Sequence, residues 1–242
     1  MLPLRYSFQA IDPAVAAGPR TEGTTVLRIT IDGPAGAGKS TVARELAQLL
    51  GYTYLDTGAM YRALALSALR EGVDSGDEPA LAALLSRLDL RFERGRIRLG
   101  DEDVADEIRA PAVDRIVSLV AAHPRVREAF VARQRALAGD GGVVVDGRDA
   151  GTVVLPDAEC KFFLTASLDA RADRRHRELL SQGLRVSIDE VRREMAERDA
   201  LDEMRSVGAL RVPEGALLVD TTGLSVVEVV RHLAEYCRVR GA

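Results

Sequence analysis

A short glycine-rich segment carries the residues best suited to phosphate chemistry. It fits the pattern Gly-x-x-x-x-Gly-Lys-Ser/Thr through Gly33, Gly38, Lys39 and Ser40. In such a loop, backbone N–H groups converge on phosphate oxygens, the lysine reaches the β- and γ-phosphates of a nucleotide, and the serine hydroxyl is a ligand of Mg²⁺. We therefore expect a nucleotide-phosphate site formed by Gly33, Pro34, Ala35, Gly36, Ala37, Gly38, Lys39, Ser40 and Thr41.

The surroundings of this phosphate-binding loop support that interpretation. An apolar, β-rich run from Val26 to Asp32 precedes the loop, and an amphipathic helix follows it to about Leu50, which is the context that the motif requires. Of the 33 basic residues, only Lys39 and Lys161 are lysines. A compact ammonium fits between phosphates where a planar guanidinium does not. Lys161 starts a predicted strand, and the sequence assigns it no role.

Arginines at helical spacing are the second group that could do chemistry. Two sets each share one face of a predicted helix, at spacings i, i+3, i+4 and i, i+4, i+7: Arg171, Arg174 and Arg175, then Arg198, Asp202 and Arg205. A glycine-containing break at 182–184 separates the two helices, so they could form a mobile lid that brings arginines over a phosphate. Solvated helix faces would show the same spacing, and the spacing alone leaves both interpretations open.

The elements that must position these residues form an α/β pattern. Short apolar runs predict five strands, at 26–32, 52–55, 142–146, 161–165 and 216–220. Helical segments separate these strands, which predicts a parallel, doubly wound sheet. Ligands bind at the carboxyl ends of such strands, and polar residues follow each strand here. An alternating segment from Leu88 to Leu99, with its turn at Gly95, predicts a half-exposed hairpin.

Length and composition exclude several classes of protein. The 242 residues fit one α/β domain with appended subdomains, and a net charge of -4 gives no argument for binding nucleic acid polymers or membranes. Cys160 and Cys237 belong to no metal-binding pattern, so we expect reduced, buried thiols in a cytoplasmic protein. Residues 1–25 lack periodicity and predict a disordered tail. No extended apolar stripe is left over, which favours a monomer.

Two classes of nucleotide-binding protein, GTPases and large ATPases, fit the sequence poorly. A GTPase needs an Asn-Lys-x-Asp guanine reader, which is absent because lysine occurs only at positions 39 and 161. Large ATPases need a longer chain and an acidic strand in a larger sheet, for which Asp146 is the nearest candidate. Phosphoryl transfer requires cations around the moving group and exclusion of water. A small phosphotransferase therefore fits the arginines best.

Five motifs, in the same order and spacing, closely resemble the bacterial cytidylate kinase family. They lie at Gly33–Ser40, Tyr54–Arg62, Pro124–Arg127, Asp146–Val154 and Glu197–Asp199. The resemblance extends from about Val26 to the C-terminus. It implies a nucleoside-monophosphate kinase with the P-loop NTPase fold, in which a core, a monophosphate-binding domain with a small β-insert, and a helical lid surround the substrates.

The resemblance also divides the chain. It implies a core at 26–56, 124–166 and 207–242, a monophosphate-binding part at 57–123, and a lid at 167–206. The hairpin predicted at Leu88–Leu99 would supply the β-insert.

The implied reaction moves the γ-phosphoryl group of ATP to CMP or dCMP, with Mg²⁺, giving ADP and CDP or dCDP. By the resemblance, Arg62 and Arg148 hold the acceptor phosphate together with Lys39. The lid arginines near the donor phosphates are Arg171, Arg174 and Arg175. Ser40 is the implied metal ligand, and other contacts to Mg²⁺ run through water.

The resemblance assigns the remaining polar residues to the nucleoside. The base would be read by Thr57, Arg127, Asp149 and Arg205, and the pentose would be met by Ser118, Arg198 and Asp202. Thr57 and Asp149 can accept from the N4 amine of cytosine, where uracil presents a carbonyl oxygen. The mismatch would leave acceptors facing each other, at about 1–3 kcal/mol per unsatisfied group. Family members often have serine at the position of Thr57, so the preference for cytosine over uracil is left open.

The sequence leaves two alternatives to this reaction open. One is a kinase for another acceptor, such as UMP, which rates with different monophosphates would separate. The other is a non-catalytic nucleotide sensor, which would have no need of the acceptor-phosphate arginines and a lid.

Overall fold

A five-stranded parallel sheet forms the central layer of the computed structural model, which describes residues 26–93 and 96–241. In chain order the strands are β1 (Arg28–Asp32), β2 (Thr53–Asp56), β3 (Leu90–Glu93), β4 (Arg96–Leu99), β5 (Glu102–Asp103), β6 (Val143–Asp146), β7 (Cys160–Thr165) and β8 (Leu217–Asp220). The helices are α1 (Lys39–Leu50), α2 (Thr57–Glu71), α3 (Glu78–Ser86), α4 (Pro111–Val120), α5 (Pro124–Ala138), α6 (Leu168–Ser181), α7 (Ile188–Glu203) and α8 (Val226–Val239). The predicted tail at 1–25 and the predicted turn at Gly95 lie outside the described residues.

The strand order of the central sheet is β2-β6-β1-β7-β8, and every neighbouring pair is parallel. The register brings the carboxyl ends of the strands to one edge. Asp146 pairs with both Ile31 and Asp56, and Thr165 pairs with Asp220. The predicted parallel, doubly wound sheet is therefore confirmed, and the polar residues after its strands share one edge as expected.

Local capping signals explain where most helices begin. The Asp56 side chain accepts from the backbone N–H of Ala59 at the start of α2. Ser187 with Glu190, and Ser225 with Glu228, form capping boxes at α7 and α8. Helix ends match the sequence-based expectation within about two residues. The two-residue difference at α7 has a consequence, because the helix ends at Glu203 and Arg205 lies beyond it instead of inside it.

A second, smaller sheet confirms the predicted hairpin. Its order is β3-β4-β5, with antiparallel pairs, and the two-residue strand β5 was not expected from the sequence. Leu90 and Ile97 from this sheet are buried with apolar residues of α2, α3, α4 and α5. The segment between β2 and β6 therefore has an apolar core of its own, distinct from the cluster formed by the central sheet, α1 and α8.

The pair α6 and α7 also has its own small core. Ala172, Leu179, Val191 and Met195 are buried together, and Ala35 of the phosphate-binding loop packs against them. This contact brings the two arginine-bearing helices against the loop.

Both cysteines lie in the core of the central sheet. Cys160 and Cys237 are buried and free of disulfide bonding. Within residues 26–93 and 96–241, no group of three or more His, Cys, Asp and Glu side chains could hold a metal ion. Among those same residues, no helix has the length and apolar character needed to cross a membrane.

Gly33→Ala should strongly destabilise the fold. The φ of Gly33 is 145°, and an added Cβ would overlap the backbone carbonyl of Leu164 on β7. We expect the free energy of unfolding in urea to fall by at least ~3 kcal/mol. Gly72→Ala is the matched control, because Gly72 also has positive φ (67°) but has no atom within 4 Å of an added Cβ. The control should lose only ~1 kcal/mol, and equal losses would contradict the steric explanation.

Candidate active site

The phosphate-binding loop joins β1 to α1 in a glycine-dependent conformation. Gly36 and Gly38 have φ values of 74° and 87°, in the left-handed region. Lys39 begins α1, and its buried ammonium donates to the carbonyl of Pro34 across the loop at 2.7 Å. Burial and the nearby cation of Arg148 lower the pKa of Lys39 to about 7, although Asp146 opposes the shift. A phosphate beside this lysine would favour its charged form.

The side chains of Ser40 and Asp146 place two oxygen atoms that could bind a metal ion next to each other at the phosphate-binding loop. The Ser40 hydroxyl donates to Asp146 Oδ2 at 2.7 Å, and the Tyr54 hydroxyl donates to Asp146 Oδ1 at 3.1 Å. Burial, together with the neighbouring Asp56, raises the pKa of the Asp146 carboxyl to about 7. A hydroxyl and a carboxylate are hard oxygen ligands of the type that Mg²⁺ prefers. These side chains therefore fit the metal that the sequence implied at Ser40.

Two of the three predicted lid arginines reach the backbone of the loop. Arg171 donates to the carbonyl of Ala35 at 3.0 Å and pairs with Asp199. Arg174 lies against the Gly36 carbonyl at 3.4 Å and donates to Thr221 Oγ1 at 3.1 Å. The alternative of a solvated helix face is therefore wrong for this pair, because both side chains face the loop.

Arg175 points to a different part of the site. It pairs with Asp114 of α4, whose carboxylate also accepts from Arg62 at 2.5 Å and from Arg198 at 2.8 Å. Burial by itself would raise the pKa of Asp114, but the three guanidinium groups lower it. The structure thus gives Arg175 a different carboxylate partner from Arg171 and places it with Arg62, and its expected position near the donor phosphates stays a prediction.

Asp202 of α7 holds a second group of predicted site residues. Its carboxylate accepts from Arg148 Nε at 2.7 Å and from the Ser118 hydroxyl at 3.2 Å, and it also pairs with Arg205. Asp202 is only 1% exposed. Burial opposes its ionisation, but the neighbouring guanidinium groups lower its pKa to about 2. Arg205 reaches this carboxylate even though it lies beyond the end of α7.

The residues predicted to read the base are buried near the end of β6. Arg127 pairs with Asp149, and its guanidinium lies 5.5 Å from the ring centre of Tyr61. The Thr57 hydroxyl donates to the carbonyl of Asp146 at 2.7 Å. Because its proton is used in that bond, the Thr57 oxygen keeps lone pairs that can accept.

Some buried N–H groups at the site have no partner within the protein. Across the part of the chain that the structure describes, the guanidinium atoms in this state are the Nε atoms of Arg127, Arg198 and Arg205. All three residues were predicted to bind the nucleoside. A buried unpaired donor costs about 1–3 kcal/mol, so these atoms fit a site for a polar, oxygen-rich ligand.

Asp32 is a supporting residue to which the sequence assigned no role. It is fully buried, and its two carboxylate oxygens each accept at 2.7 Å from the backbone N–H groups of Ala150 and Gly151. These groups open a π-helical turn, Ala150–Val154, directly after Asp149. Burial raises the pKa of Asp32 to about 7, although the two backbone bonds oppose the shift. In the sequence, its position immediately before the phosphate-binding loop was the signal that could have pointed to a role for Asp32.

Two further supporting acids, one predicted site residue and Lys161 complete the comparison with the sequence. Asp114 and Asp199 also received no individual role, and neither has a local pattern that identifies its partners. Thr41 is exposed on α1. Lys161 lies outside the site and donates to the carbonyl of Glu214 at 3.3 Å.

A phosphate-binding loop at the carboxyl edge of a doubly wound sheet, faced by arginines on two helices, defines a kinase of the P-loop class. The family model described as cytidylate kinase matches residues 29–239. A protein named cytidylate kinase from Caldanaerobacter subterraneus subsp. tengcongensis is 51% identical over 212 residues, covering 88% of this chain and 95% of that protein. One from Carboxydothermus hydrogenoformans is 52% identical over 213 residues, covering 86% and 96%. The chain therefore belongs to the cytidylate kinase family.

A solved structure gives a weaker comparison. Shikimate kinase from Acinetobacter baumannii, in complex with shikimate, overlaps 89% of this chain and 95% of that chain, with 16% identity and a TM-score of 0.46. This similarity is too low to indicate a shared substrate.

Asp202→Asn should lower the free energy of unfolding by about 3–5 kcal/mol at pH 7, because two guanidinium groups lose a buried counter-charge. Folding lowers the pKa of Asp202 from 3.8 to about 2. About 2 kcal/mol of stability is therefore present above pH 3.8 and is lost as the pH falls towards 2. The difference between parent and variant in urea unfolding should shrink over that range. Asp140→Asn, at an exposed position, should be near neutral, and a pH-independent difference for Asp202→Asn would contradict the assignment.

Proposed function

We propose that this protein transfers the γ-phosphoryl group of ATP to CMP or dCMP, giving ADP and CDP or dCDP. The observation that carries the proposal is the set of buried, unpaired guanidinium N–H groups at the expected nucleoside site, in a chain that belongs to the cytidylate kinase family. A phosphate oxygen of the acceptor attacks the γ-phosphorus, and the bond to the β–γ bridging oxygen breaks.

The acceptor phosphate lies, in this proposal, between Lys39, Arg62 and Arg148. Arg148 is close enough to Lys39 to lower its pKa, which supports a shared anion between them. Two planar guanidinium groups can each form paired N–H bonds to a phosphate. Lys39 then neutralises charge on the donor and acceptor phosphates together, which stabilises the transferring group.

The donor phosphates bind to residues 33–41, where Gly36 and Gly38 give the loop its shape. Arg171 and Arg174 support this placement, because both already contact the loop from α6. Arg175 completes the proposed lid arginines from the acceptor side of the site. Closure of the lid helices excludes water, so that the γ-phosphoryl group is transferred to the acceptor rather than hydrolysed.

Mg²⁺ would be held by Ser40, directly, and by Asp146, directly or through water. The 2.7 Å bond between these side chains supports the pairing. When bound there, the metal would supply positive charge that neutralises the phosphates of ATP.

The remaining buried residues are assigned to the base and the sugar of the acceptor nucleotide. Thr57 and Asp149 accept from the N4 amine of cytosine, while Arg127 and Arg205 donate to its acceptor atoms. Ser118, Arg198 and Asp202 contact the pentose, and the Ser118–Asp202 hydrogen bond of 3.2 Å supports their common placement.

We also infer the domain division, the cellular location and the oligomeric state of the protein. The separate apolar clusters of the central sheet, of the monophosphate-binding part and of the lid support a core at 26–56, 124–166 and 207–242, with the other parts at 57–123 and 167–206, and Val126 and Phe130 at the start of the second core range pack with the monophosphate-binding part. Two buried free thiols support a cytoplasmic protein. We further propose that it acts as a monomer.

Release of ADP should depend on CMP, and Arg62→Ala should lower kcat/KM for CMP by at least ~100-fold, because an acceptor-phosphate donor is lost. The dissociation constant for ATP should stay within about twofold. Arg70→Ala is the matched control, since Arg70 lies on the same helix but is exposed and paired with Glu102 and Glu107. It should change kcat/KM by less than about twofold.

ADP release that does not depend on CMP would contradict the proposed reaction and favour an ATPase. Binding of ATP and CMP without turnover would favour a sensor. Full activity of Arg62→Ala would remove Arg62 from the acceptor clamp but leave the reaction in place.

Thr57→Val should reduce the preference for CMP over UMP, because it removes one acceptor at nearly constant shape. We expect the ratio of the two kcat/KM values to fall by about tenfold. Steady-state rates with CMP, dCMP and UMP measure this ratio. Thr53→Val is the control, because Thr53 is exposed at the start of β2. An unchanged ratio for Thr57→Val would show that Thr57 does not read the base.

A further inference from the structure

Asp114 joins three arginines that come from three different helices. Its carboxylate accepts from Arg62 of α2, Arg175 of α6 and Arg198 of α7, while Asp114 itself lies on α4. Asp114 falls outside the five motifs from which the family resemblance was derived. Its side chain is 19% exposed, so these pairs are largely shielded from water.

Other site arginines are held in the same way by a buried carboxylate. Asp202 binds Arg148 and Arg205, and Asp149 binds Arg127. An arginine side chain has about 2 kcal/mol of rotamer entropy to lose. A carboxylate that fixes its direction removes that loss from the binding step, which is the usual form of preorganisation. In these pairs the carboxylate orients the guanidinium and leaves other N–H donors free for a substrate.

The position of Asp114 is different because its partners lie on two separate parts of the protein. α2 and α4 belong to residues 57–123, whereas α6 and α7 belong to residues 167–206. The apolar cluster of α6 and α7 contains no residue of 57–123 among the described residues. Polar contacts, at Asp114 and between Ser118 and Asp202, therefore connect these parts across the site.

Repulsion among the arginines makes a shared carboxylate necessary. Burial, together with the nearby charges of Arg62 and Arg148, lowers the pKa of Arg198 to about 10, and Asp114 opposes that shift. Without the carboxylate, Arg62, Arg175 and Arg198 would carry like charges at close range with no anion between them.

We propose that Asp114 is a positioning residue for phosphoryl transfer, which fixes the acceptor arginine Arg62, the lid arginine Arg175 and the pentose-contacting Arg198 as one unit. This inference rests on the proposed function. It implies that Asp114 affects the step that needs the lid and the acceptor site together. Binding of ATP to the phosphate-binding loop does not depend on it.

Asp114→Asn keeps the size of the side chain and removes its charge. We expect kcat with CMP to fall by at least ~10-fold and KM for CMP to rise severalfold, with the dissociation constant for ATP unchanged within about twofold. Glu178→Gln is the matched control. It also removes a carboxylate from Arg175, but Glu178 lies on the same helix and is 42% exposed. Its kcat should stay within about twofold of the parent.

A double-mutant cycle tests whether Asp114 acts through the arginines. Arg175→Gln and Asp114→Asn should be strongly non-additive, so that the double variant loses little more kcat/KM than the worse single variant. Losses that multiply would show independent roles and overturn the proposal. A lower KM or a higher kcat for Asp114→Asn would also overturn it, because that result means that the carboxylate competes with the acceptor phosphate.

A distance measurement without CMP separates this inference from the proposed function. Spin labels at Ser86→Cys and Gln182→Cys, both exposed positions, report the separation between the two parts of the protein. In Asp114→Asn the distance distribution should become longer or broader than in the parent, and in Glu178→Gln it should not. An unchanged distribution in Asp114→Asn overturns the inference whatever the acceptor. If Asp114→Asn does not fold, Asp114→Ser and Asp114→Gly are measured in the same way with the same criteria.

Discussion

Buried and half-buried pairs of arginine and carboxylate are the interaction on which the rest of this structure depends. Phosphoryl transfer needs cations in a site without water, yet a buried guanidinium is stable only beside an anion or a hydrogen-bond acceptor. Asp114, Asp149, Asp199 and Asp202 supply those anions, and each binds at least one arginine of the site. The same pairs link α6 and α7 to the rest of the protein, so the charges of the site and the placement of these helices depend on each other.

The sheet provides the fixed reference for these charges. Its parallel register brings the ends of β1, β2 and β6 to one edge, and the phosphate-binding loop and Asp146 lie there. Asp32 connects β1 to the proposed acceptor side of the site, because its carboxylate binds the backbone N–H groups that follow Arg148 and Asp149. One buried side chain next to the loop thereby holds the turn that presents two of the proposed substrate contacts.

Most of the secondary structure could be predicted from local signals. Glycine, proline and capping residues set helix boundaries within about two residues, and apolar runs located all five strands of the central sheet. The misses were short or irregular elements: the strand β5 and the π-helical turn Ala150–Val154 have no distinct pattern. α7 ends at Glu203, two residues before the predicted end, since the Arg198–Asp202–Arg205 spacing continues past the last helical residue.

The sequence by itself determined the phosphate-binding loop, the order of strands and helices, and which arginines share a helix face. These features depend on residues close together in the chain. Only the tertiary structure decided which carboxylate each arginine meets. Asp114 and Arg175 are 61 positions apart, and Arg148 and Asp202 are 54 apart. Helical periodicity gives direction within one helix, but the tertiary arrangement decides which residues of other helices lie opposite it. For that reason Arg171 and Arg175, on one face of α6, meet different carboxylates, Asp199 and Asp114.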